Sequence, residues 1–424
     1  MDISDLECDL NSYNLNVRSK ALLELNSYLE QGKFEVASKN DWINLHCHSF
    51  YSYNGYGMSP SSIVWKAKKL GLSMIGLVDF DTLDGVDEFH DAGRMLKIKT
   101  IASMETRAYI SKYTDMEINS PGEPGIAYHM ISGLNSGVNT HSDQYLSSLF
   151  LNKSHDRNNI IINKINSILT KIPLNYTKDV LSLTPNNNPT ERHICKAYRL
   201  KSEKVFKDKN ERLQFWCVST CSDLSTVKEI FDNDLKLEAF IRLKLMKKGG
   251  IAYQQPSPDN FPNLSDVNQY TKLLNGISVM AWVDGMSPAE AHIEDLIQYH
   301  LSLGAKGINI IPDRNYNIQD KELKKRKIDE LYKVVGIAEE NNIPIMVGTE
   351  LNAPGLKFVD DFSSPELTPL LPIFIKGAEV YYGHTIEQSN SGHGYCSKWS
   401  ERTFNNSSER NLYYRNVANN YIFS

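Results

Sequence analysis

Short, nearly continuous apolar runs recur along the chain, and they constrain its fold more than any other feature of the sequence. The clearest runs are Leu72–Val78, Ile277–Trp282, Gly307–Ile311 and Ile343–Val347. Strands that are buried on both faces of a parallel sheet have this composition. Helical patterns separate several of the runs. Two helix starts are predicted at Ser59-Pro60 and Ser287-Pro288, because Ser is a good N-cap and Pro suits the first helical position. The alternation predicts parallel β/α units.

A length of 424 residues suits one large domain with insertions, or two domains. We predict an N-terminal helical appendage, a scaffold in two parts that is interrupted by a helical insertion or lid, and a C-terminal tail. In chain order these segments are 1–40, 41–139, 140–275, 276–385 and 386–424. The insertion is distinguished by its mostly helical pattern and its Asn-rich and Pro-rich breaks. We expect it to lie over or beside the mouth of the scaffold.

Composition limits the classes of partner. The net charge is −5 with acids and bases mixed, so no basic surplus predicts binding to nucleic acid or to an anionic membrane. The acidic N-terminus lacks the apolar core of a secretory signal, and no window of about 18 apolar residues predicts a membrane span. The six cysteines form no CxxC pair, which is typical of a reduced chain. We therefore expect a cytoplasmic protein with a small-molecule substrate.

Two histidines, His46 and His48, follow the first apolar run. In a strand, residues i and i+2 project from the same face, so both side chains can point at one ion. Imidazole is a common ligand of zinc and also suits iron and nickel. The alternative is that both are ordinary histidines at the end of a strand.

Further polar residues follow the other predicted strands. They are His46-Cys47-His48-Ser49, Gly76-Leu77-Val78-Asp79-Phe80-Asp81-Thr82, Glu105, His129, Arg192-His193-Ile194 and Gly348-Thr349-Glu350. Their order and their places at strand ends resemble the PHP family, named for polymerase and histidinol phosphatase, over about residues 42–355. The resemblance implies an α/β fold, a distorted (β/α)7 TIM-like barrel with a helical insertion. It also implies binding of divalent metal ions and hydrolysis of phosphate esters.

The resemblance assigns metal ligands one residue at a time. It implies that the first ion is held by His46, His48 and Glu350, the second by His129 and His193, and both by Glu105. The family's third ion needs ligands at three further positions, which here are Tyr53 (or Asn54), Phe80 and Asn352. None of these is a strong ligand, so we expect two ions per chain (zinc, manganese or iron) and no third.

Two divalent ions that share a carboxylate lower the pKa of bound water from about 16 towards roughly 7 and so provide a hydroxide nucleophile. We therefore predict a metal-dependent hydrolase, most simply a phosphoesterase. One alternative is an amide or ester hydrolase of the amidohydrolase type, and another is a non-catalytic PHP relative that binds a ligand or partner. A cationic pocket would favour the phosphoesterase, whereas a pocket lined by Tyr and Trp would favour the amide or ester hydrolase.

Other polar residues near these strand ends are candidates for catalysis and substrate binding. We predict catalytic roles for Glu105, Asp79 and Arg192, and substrate contacts for Tyr53, Asn54, Asp81 and Asn352. Each has a structural alternative: Asp79 caps a loop, the tyrosines pack within their own loop, and Arg192, like Arg107, takes part in an ion pair.

Overall fold

The computed structural model of this protein describes residues 2–137 and 143–423. Within these residues, seven strands form one sheet whose spatial order follows the chain. The strands are β1 (Ile43–Cys47), β2 (Met74–Phe80), β3 (Lys99–Tyr109), β4 (Ile126–Leu134), β5 (Ile277–Trp282), β6 (Gly307–Ile310) and β7 (Ile345–Val347). A parallel bridge between Cys47 and Glu350 joins β1 to the segment after β7, so the sheet is a nearly closed barrel. The expected α/β barrel is confirmed.

Helices surround the barrel and fill the long connection between β4 and β5. They are α1 (Ile3–Asp9), α2 (Leu15–Glu30), α3 (Pro60–Lys69), α4 (Val86–Leu96), α5 (Asp143–Asn166), α6 (Glu191–Val205), α7 (Lys209–Ser219), α8 (Leu224–Phe231), α9 (Asp234–Leu245), α10 (Leu264–Leu273), α11 (Ile293–Ser302), α12 (Asp313–Tyr316), α13 (Lys321–Glu340), α14 (Leu371–Ser391), α15 (Lys398–Thr403) and α16 (Ser407–Asn420). In the described parts of the chain, no helix combines the length and the apolar character that crossing a bilayer requires.

The two predicted helix starts behave differently. Ser59 Oγ accepts a hydrogen bond from Ser62 N at 3.0 Å and α3 begins at Pro60, as predicted. Ser287 Oγ also accepts a backbone hydrogen bond, from Glu290 N at 3.1 Å. It caps a short 3₁₀ turn, however, and α11 begins only at Ile293.

Strand β4 runs antiparallel to both of its neighbours, which the expectation of parallel units did not include. The connection from β3 to β4 carries only a 3₁₀ turn at Ser111–Tyr113, and a parallel pair would need a longer crossover. The amino-terminal end of β4 therefore lies beside the carboxyl end of β3. Strand β3 is one continuous strand that contains Glu105.

The described chain has two large apolar cores. The main core joins the barrel to α3, α4, α10, α11, α13, α14 and the N-terminal helices. A second core lies within the helical connection, between Ile161 and Ala252. Helix α10 packs in the barrel core and not in this second core. The residues with a core of their own therefore run from 161 to 252, a shorter range than the expected insertion at 140–275. The five residues 138–142 lie outside the described residues.

Candidate metal centre and its cavity

Three buried donor atoms converge where the carboxyl end of β1 lies near the middle of β3. His46 Nε2 and His48 Nε2 lie 3.2 Å apart. Glu105 Oε2 lies 3.3 Å from His48 Nε2 and 3.6 Å from His46 Nε2. These side chains are at most 3% exposed, so water competes little for their donor atoms. Among the described residues, they are the group of His, Cys, Asp and Glu whose donor atoms come close enough together to hold an ion.

Hydrogen bonds from neighbouring residues orient both imidazoles. His46 Nδ1 lies 3.2 Å from Asn309 Oδ1, which can only accept, so Nδ1 carries the proton. His48 Nδ1 lies 3.2 Å from Ser52 Oγ, and that hydroxyl donates to Asp79 Oδ1 at 2.6 Å. His48 Nδ1 is therefore also the protonated nitrogen. Both Nε2 lone pairs face the cluster, because the partners of the two Nδ1 atoms fix the ring orientation and the protonated nitrogen that metal binding requires.

The cluster fits a single divalent ion. Around a tetrahedral zinc ion, with metal–ligand distances of 2.0–2.1 Å, donor atoms lie about 3.4 Å apart, close to the spacing of these three atoms. Glu105 Oε2 has no hydrogen-bond donor among the described residues, although it is buried. Burial alone would raise the pKa of Glu105, but the positive charge that His46 and His48 carry when they are protonated outweighs it and lowers that pKa to about 2. The carboxylate is therefore ionised and free to bind a cation.

Asp79 has a structural part in this arrangement. Its carboxylate accepts hydrogen bonds from Ser49 N at 2.7 Å, from Ser49 Oγ at 2.6 Å and from Ser52 Oγ at 2.6 Å. These bonds occupy both carboxylate oxygens and hold the turn that follows β1. Asp79 therefore positions His48 through Ser52, and it does not point its carboxylate into the cluster as the predicted catalytic role would require.

Glu350 lies beside the cluster, but an arginine engages its carboxylate. Its backbone is joined to β1 on both sides, since His48 N donates to Glu350 O at 2.8 Å and Glu350 N donates to His46 O at 2.7 Å. Glu350 Oε2 accepts from Arg314 Nη2 at 2.5 Å and from Arg314 Nε at 3.2 Å. Arg314 was not among the site residues predicted from the sequence. Its position four residues after the end of β6 was the available signal, because charged residues that follow barrel strands are candidates for the site.

His129 does not reach the cluster, so the structure does not support its assignment as a ligand. It pairs with Thr106 across β3 and β4, whereas Glu105 pairs with Met130. Paired residues project from the same face, so His129 lies on the face of the sheet opposite Glu105. Its Nε2 lies 2.7 Å from Ser278 Oγ, and its ring stacks on His300 at 5.7 Å.

His193 is also used elsewhere. It occupies the third position of α6, where its Nδ1 accepts a hydrogen bond from Thr190 N at 3.0 Å in a capping box. Burial lowers the pKa of His193 to about 3. Of the six predicted ligands, the structure therefore brings His46, His48 and Glu105 together and leaves Glu350 on Arg314. The expected second ion lacks its two histidines in this arrangement.

The comparisons with known proteins agree with the strand-end motifs. The family model of the PHP domain matches residues 44–207 of this chain. The match contains His46, His48 and Glu105, and it confirms the resemblance seen in the sequence for this part of the chain.

Curated relatives match over short stretches. The error-prone DNA polymerase of Mycobacterium tuberculosis is 33% identical over 79 residues, which is 19% of this chain and 7% of the polymerase. The DNA polymerase III subunit alpha of Borreliella burgdorferi is 31% identical over 96 residues, which is 23% of this chain and 8% of that subunit. The matches thus span less than a tenth of the length of either relative.

Two solved structures are similar over most of the chain. An amidohydrolase from Chromobacterium violaceum, with bound sulfate and no metal, has a TM-score of 0.48 and 15% identity over 78% of this chain and 95% of that one. A protein from Bifidobacterium adolescentis, provisionally assigned as a metal-dependent phosphoesterase, has a TM-score of 0.46 and 17% identity over 80% of this chain and 98% of that one.

The resemblance to the PHP family assigns a third ion to three positions, and two of these, Phe80 and Tyr53, make aromatic contacts in this structure. Phe80 stacks on the His48 ring at 4.5 Å. Tyr53 lies edge-on to His193 at 5.2 Å and under the Arg192 guanidinium at 5.4 Å. Phe80 and Tyr53 therefore form apolar and aromatic surface where relatives would place charge.

The remaining predicted substrate residues divide into two groups. Asn54 holds its loop, because its Nδ2 donates to His48 O at 2.7 Å and its Oδ1 accepts from Tyr56 N at 2.8 Å. Asp81 and Asn352 line the cavity above the metal centre. Asp81 Oδ1 also accepts from Thr106 Oγ1 at 2.6 Å. Of these three residues, Asp81 and Asn352 line the cavity and Asn54 does not, and their contact with a substrate stays a prediction.

The cavity above the centre has a volume of about 510 Å³ and is rich in positive charge. In the described part of its lining, seven Arg and Lys side chains face four carboxylates. The barrel contributes Arg107 and Arg314, and the helical connection contributes Arg157, Arg192, Arg242, Lys247 and Lys248. The carboxylates are Asp81, Glu105, Glu191 and Glu350. The helical connection therefore covers the same mouth that contains the metal centre and supplies most of its positive charge.

Proposed function

We propose that this protein is a metal-dependent phosphoesterase. The observation that carries the proposal is the position of the His46, His48 and Glu105 donors in a cavity where cations outnumber carboxylates by seven to four. A phosphate ester brings negative charge that such a cavity attracts and stabilises, and that charge increases in the transition state. An amide or carboxylic ester has no comparable ground-state charge.

His46, His48 and Glu105 would hold one divalent ion. When bound, such an ion supplies Lewis-acid chemistry: it polarises a phosphoryl oxygen and lowers the pKa of coordinated water. The two-ion centre predicted from the sequence becomes a one-ion centre in this proposal, because His129 and His193 point elsewhere. The match of residues 44–207 to the PHP domain supports the metal-dependent class.

The residues of the chain orient the two imidazoles and supply positive charge for the substrate phosphate. Asn309 and Ser52 hold the imidazoles so that both Nε2 atoms face the cluster. Arg314 lies at the cavity side of Glu350, where its guanidinium would bind oxygens of the substrate phosphate and stabilise their developing charge. In this proposal Arg314 compensates for the cationic help that a third ion gives in PHP relatives.

The test combines metal content with a substrate panel. Purified protein reconstituted with zinc, manganese or iron would be assayed with p-nitrophenyl phosphate, bis(p-nitrophenyl) phosphate and p-nitrophenyl acetate. We expect about one ion per chain, hydrolysis of a phosphate ester and loss of both properties in Glu105→Gln. His129→Gln is the matched control, since it changes a buried histidine of β4 outside the cluster and should keep the ion and the activity.

Each other outcome points to a different conclusion. Hydrolysis of the acetate alone would favour the amide or ester hydrolase. Stoichiometric metal without hydrolysis of any substrate would favour a non-catalytic relative that binds a ligand or partner. Loss of the ion in His129→Gln, with two ions in the wild type, would restore the two-metal centre.

A further inference from the structure

One buried carboxylate at the edge of the cavity is shared by three cations. Glu191, the first residue of α6, is 8% exposed. Its Oε2 lies 2.8 Å from Arg242 Nη2 and 3.1 Å from Lys247 Nζ, and its Oε1 lies 3.6 Å from Arg107 Nη2. One negative charge cannot neutralise three positive charges, so this contact leaves positive charge facing the cavity.

Two further charged residues, Glu123 and Arg157, lie beside the ion pairs of Glu191 and leave the net charge of this group positive. Glu123 Oε2 lies 3.0 Å from Arg107 Nη1 and offsets one charge. Arg157 adds another cation, which is 7% exposed. Its Nη1 donates to Asn260 O at 2.9 Å, but its Nε has no hydrogen-bond partner among the described residues, and no carboxylate there forms an ion pair with it. Arg157 also lines the cavity.

We call Arg107, Arg157, Arg242 and Lys247 the cationic wall. Its four positive charges face the two carboxylates Glu191 and Glu123, and they remain in excess when Asp81 of the cavity lining is also counted. A partly desolvated excess of charge is costly unless a counter-charge enters. The cavity therefore favours an anion at this wall.

The cationic wall and the metal centre are close but separate. Arg107 follows Glu105 by two residues on the same face of β3, so the two backbone positions lie about 7 Å apart along the strand. Glu191, Arg242 and Lys247 lie on the helical side of the cavity. Arg242 and Lys247 form ion pairs with Glu191 and not with Glu105, so a phosphate at His46, His48 and Glu105 leaves the charge of the Glu191 group unchanged.

We infer that the substrate carries a second anionic group, a phosphate or a carboxylate, that binds at the cationic wall while the scissile phosphate lies at the metal centre. The inference rests on the proposed function for the scissile group. The second group would select substrates by charge and spacing, because charge-assisted hydrogen bonds to Arg and Lys are strong and directional.

The test is a binding experiment on zinc-loaded protein with phosphonates, in which a CH₂ group replaces the bridging ester oxygen, so that the ligands are not hydrolysed. Isothermal titration calorimetry would compare the phosphonate analogues of propyl phosphate, 3-(phosphonooxy)propanoate and 1,3-propanediol bisphosphate, and each analogue is named below by its parent ester. We expect the bisphosphate to bind about tenfold or more tightly than propyl phosphate. The carboxylate probe distinguishes the two anions, since tight binding of it admits a carboxylate at the wall and weak binding restricts the wall to phosphate.

Variants separate a binding site from a purely structural ion network. Lys247→Gln removes one half-buried charge and should abolish most of the advantage of the bisphosphate, whereas Lys244→Gln removes an exposed charge from the last turn of α9, three residues earlier, and should not. Glu191→Gln should change the affinity in the opposite direction, because it releases three cations. If Glu191→Gln fails to fold, the comparison of the two lysine variants still shows whether the wall binds the second anionic group.

Equal affinity of wild-type protein for the single and double phosphates would overturn the inference, as would an advantage that survives in Lys247→Gln. A bisphosphate advantage with no hydrolysis of any phosphate ester by the metal-loaded protein would overturn the proposed function and leave the anion site in place. The two failures are therefore distinguishable.

Discussion

Replacing Asn309 by Leu should weaken metal binding although it leaves all three donor atoms in place. Asn309 lies on β6, is fully buried, and its Oδ1 lies 3.2 Å from His46 Nδ1. Leu has a similar volume but cannot accept a hydrogen bond. His46 would then lose the acceptor that fixes its ring orientation and its protonated nitrogen.

The magnitude follows from the part that this contact plays. Removing the hydrogen-bond partner of the other ring nitrogen of a metal-binding histidine typically costs about 10- to 100-fold in metal affinity. That range corresponds to roughly 1.4 to 2.7 kcal/mol. His48 keeps its own support from Ser52 and Asp79, so the centre should be weakened rather than lost. Asn309→Asp should have the opposite effect, because a carboxylate partner raises the basicity of the imidazole.

The assay is competition for zinc between the protein and a fluorescent chelator at fixed pH. The control is Asn315→Leu, which removes another buried asparagine whose Nδ2 donates to Val283 O at 3.1 Å and to Ile311 O at 3.3 Å. We expect that control to lower the melting temperature but to keep the metal affinity. Equal zinc affinity in wild type and Asn309→Leu would refute the argument that these imidazoles are preorganised for an ion.

Three further changes test other parts of the site and its surroundings. Arg314→Met should leave the metal content unchanged and lower kcat/KM for a phosphate ester about tenfold or more, in steady-state kinetics, because it removes a cation from the cavity. Gly348→Ala should destabilise the protein by about 1–3 kcal/mol in urea unfolding, since the new Cβ would lie 2.3 Å from Asn44 Oδ1. Burial, with a smaller contribution from Asp313, raises the pKa of Asp360 to about 8, so the folded form keeps a proton that the unfolded chain releases above about pH 4. Stability should therefore fall as the pH rises towards 8, by up to about 1.4 kcal/mol per pH unit, and Asp360→Asn should raise the melting temperature at pH 8 but not at pH 4.

The sequence predicted the part of the centre that depends on local geometry. His46 and His48 follow an apolar strand at a spacing of two, and Glu105 lies within a later strand. Such placements follow from strand periodicity, which is visible in the residues themselves. The alternation of strands and helices followed from the repeated apolar runs for the same reason, whereas the barrel was implied by the resemblance to the PHP family.

The misplaced ligands depended on long-range geometry. His129 lies on a strand whose direction and register are set by its pairing with β3, and a shift of one residue exchanges the two faces of a strand. His193 was expected at a strand end but lies in the first turn of a helix, where it caps the backbone. The cationic wall could not be predicted from the sequence. Arg107, Arg157 and Arg242 are far apart in the chain, and they line one cavity only because the helical connection folds over the barrel.

The metal centre also lies where the barrel closes. The backbone contacts that join the first strand to the segment after the last one involve His46, His48 and Glu350, and these residues are separated by about three hundred positions in the chain. An ion held by His46, His48 and Glu105 would join β1 to β3 directly beside this closure, and its binding free energy would add to the stability of the folded state. Because β1 carries both the two histidines and the closing hydrogen bonds to Glu350, loss of the ion should also weaken the contact between the two ends of the barrel.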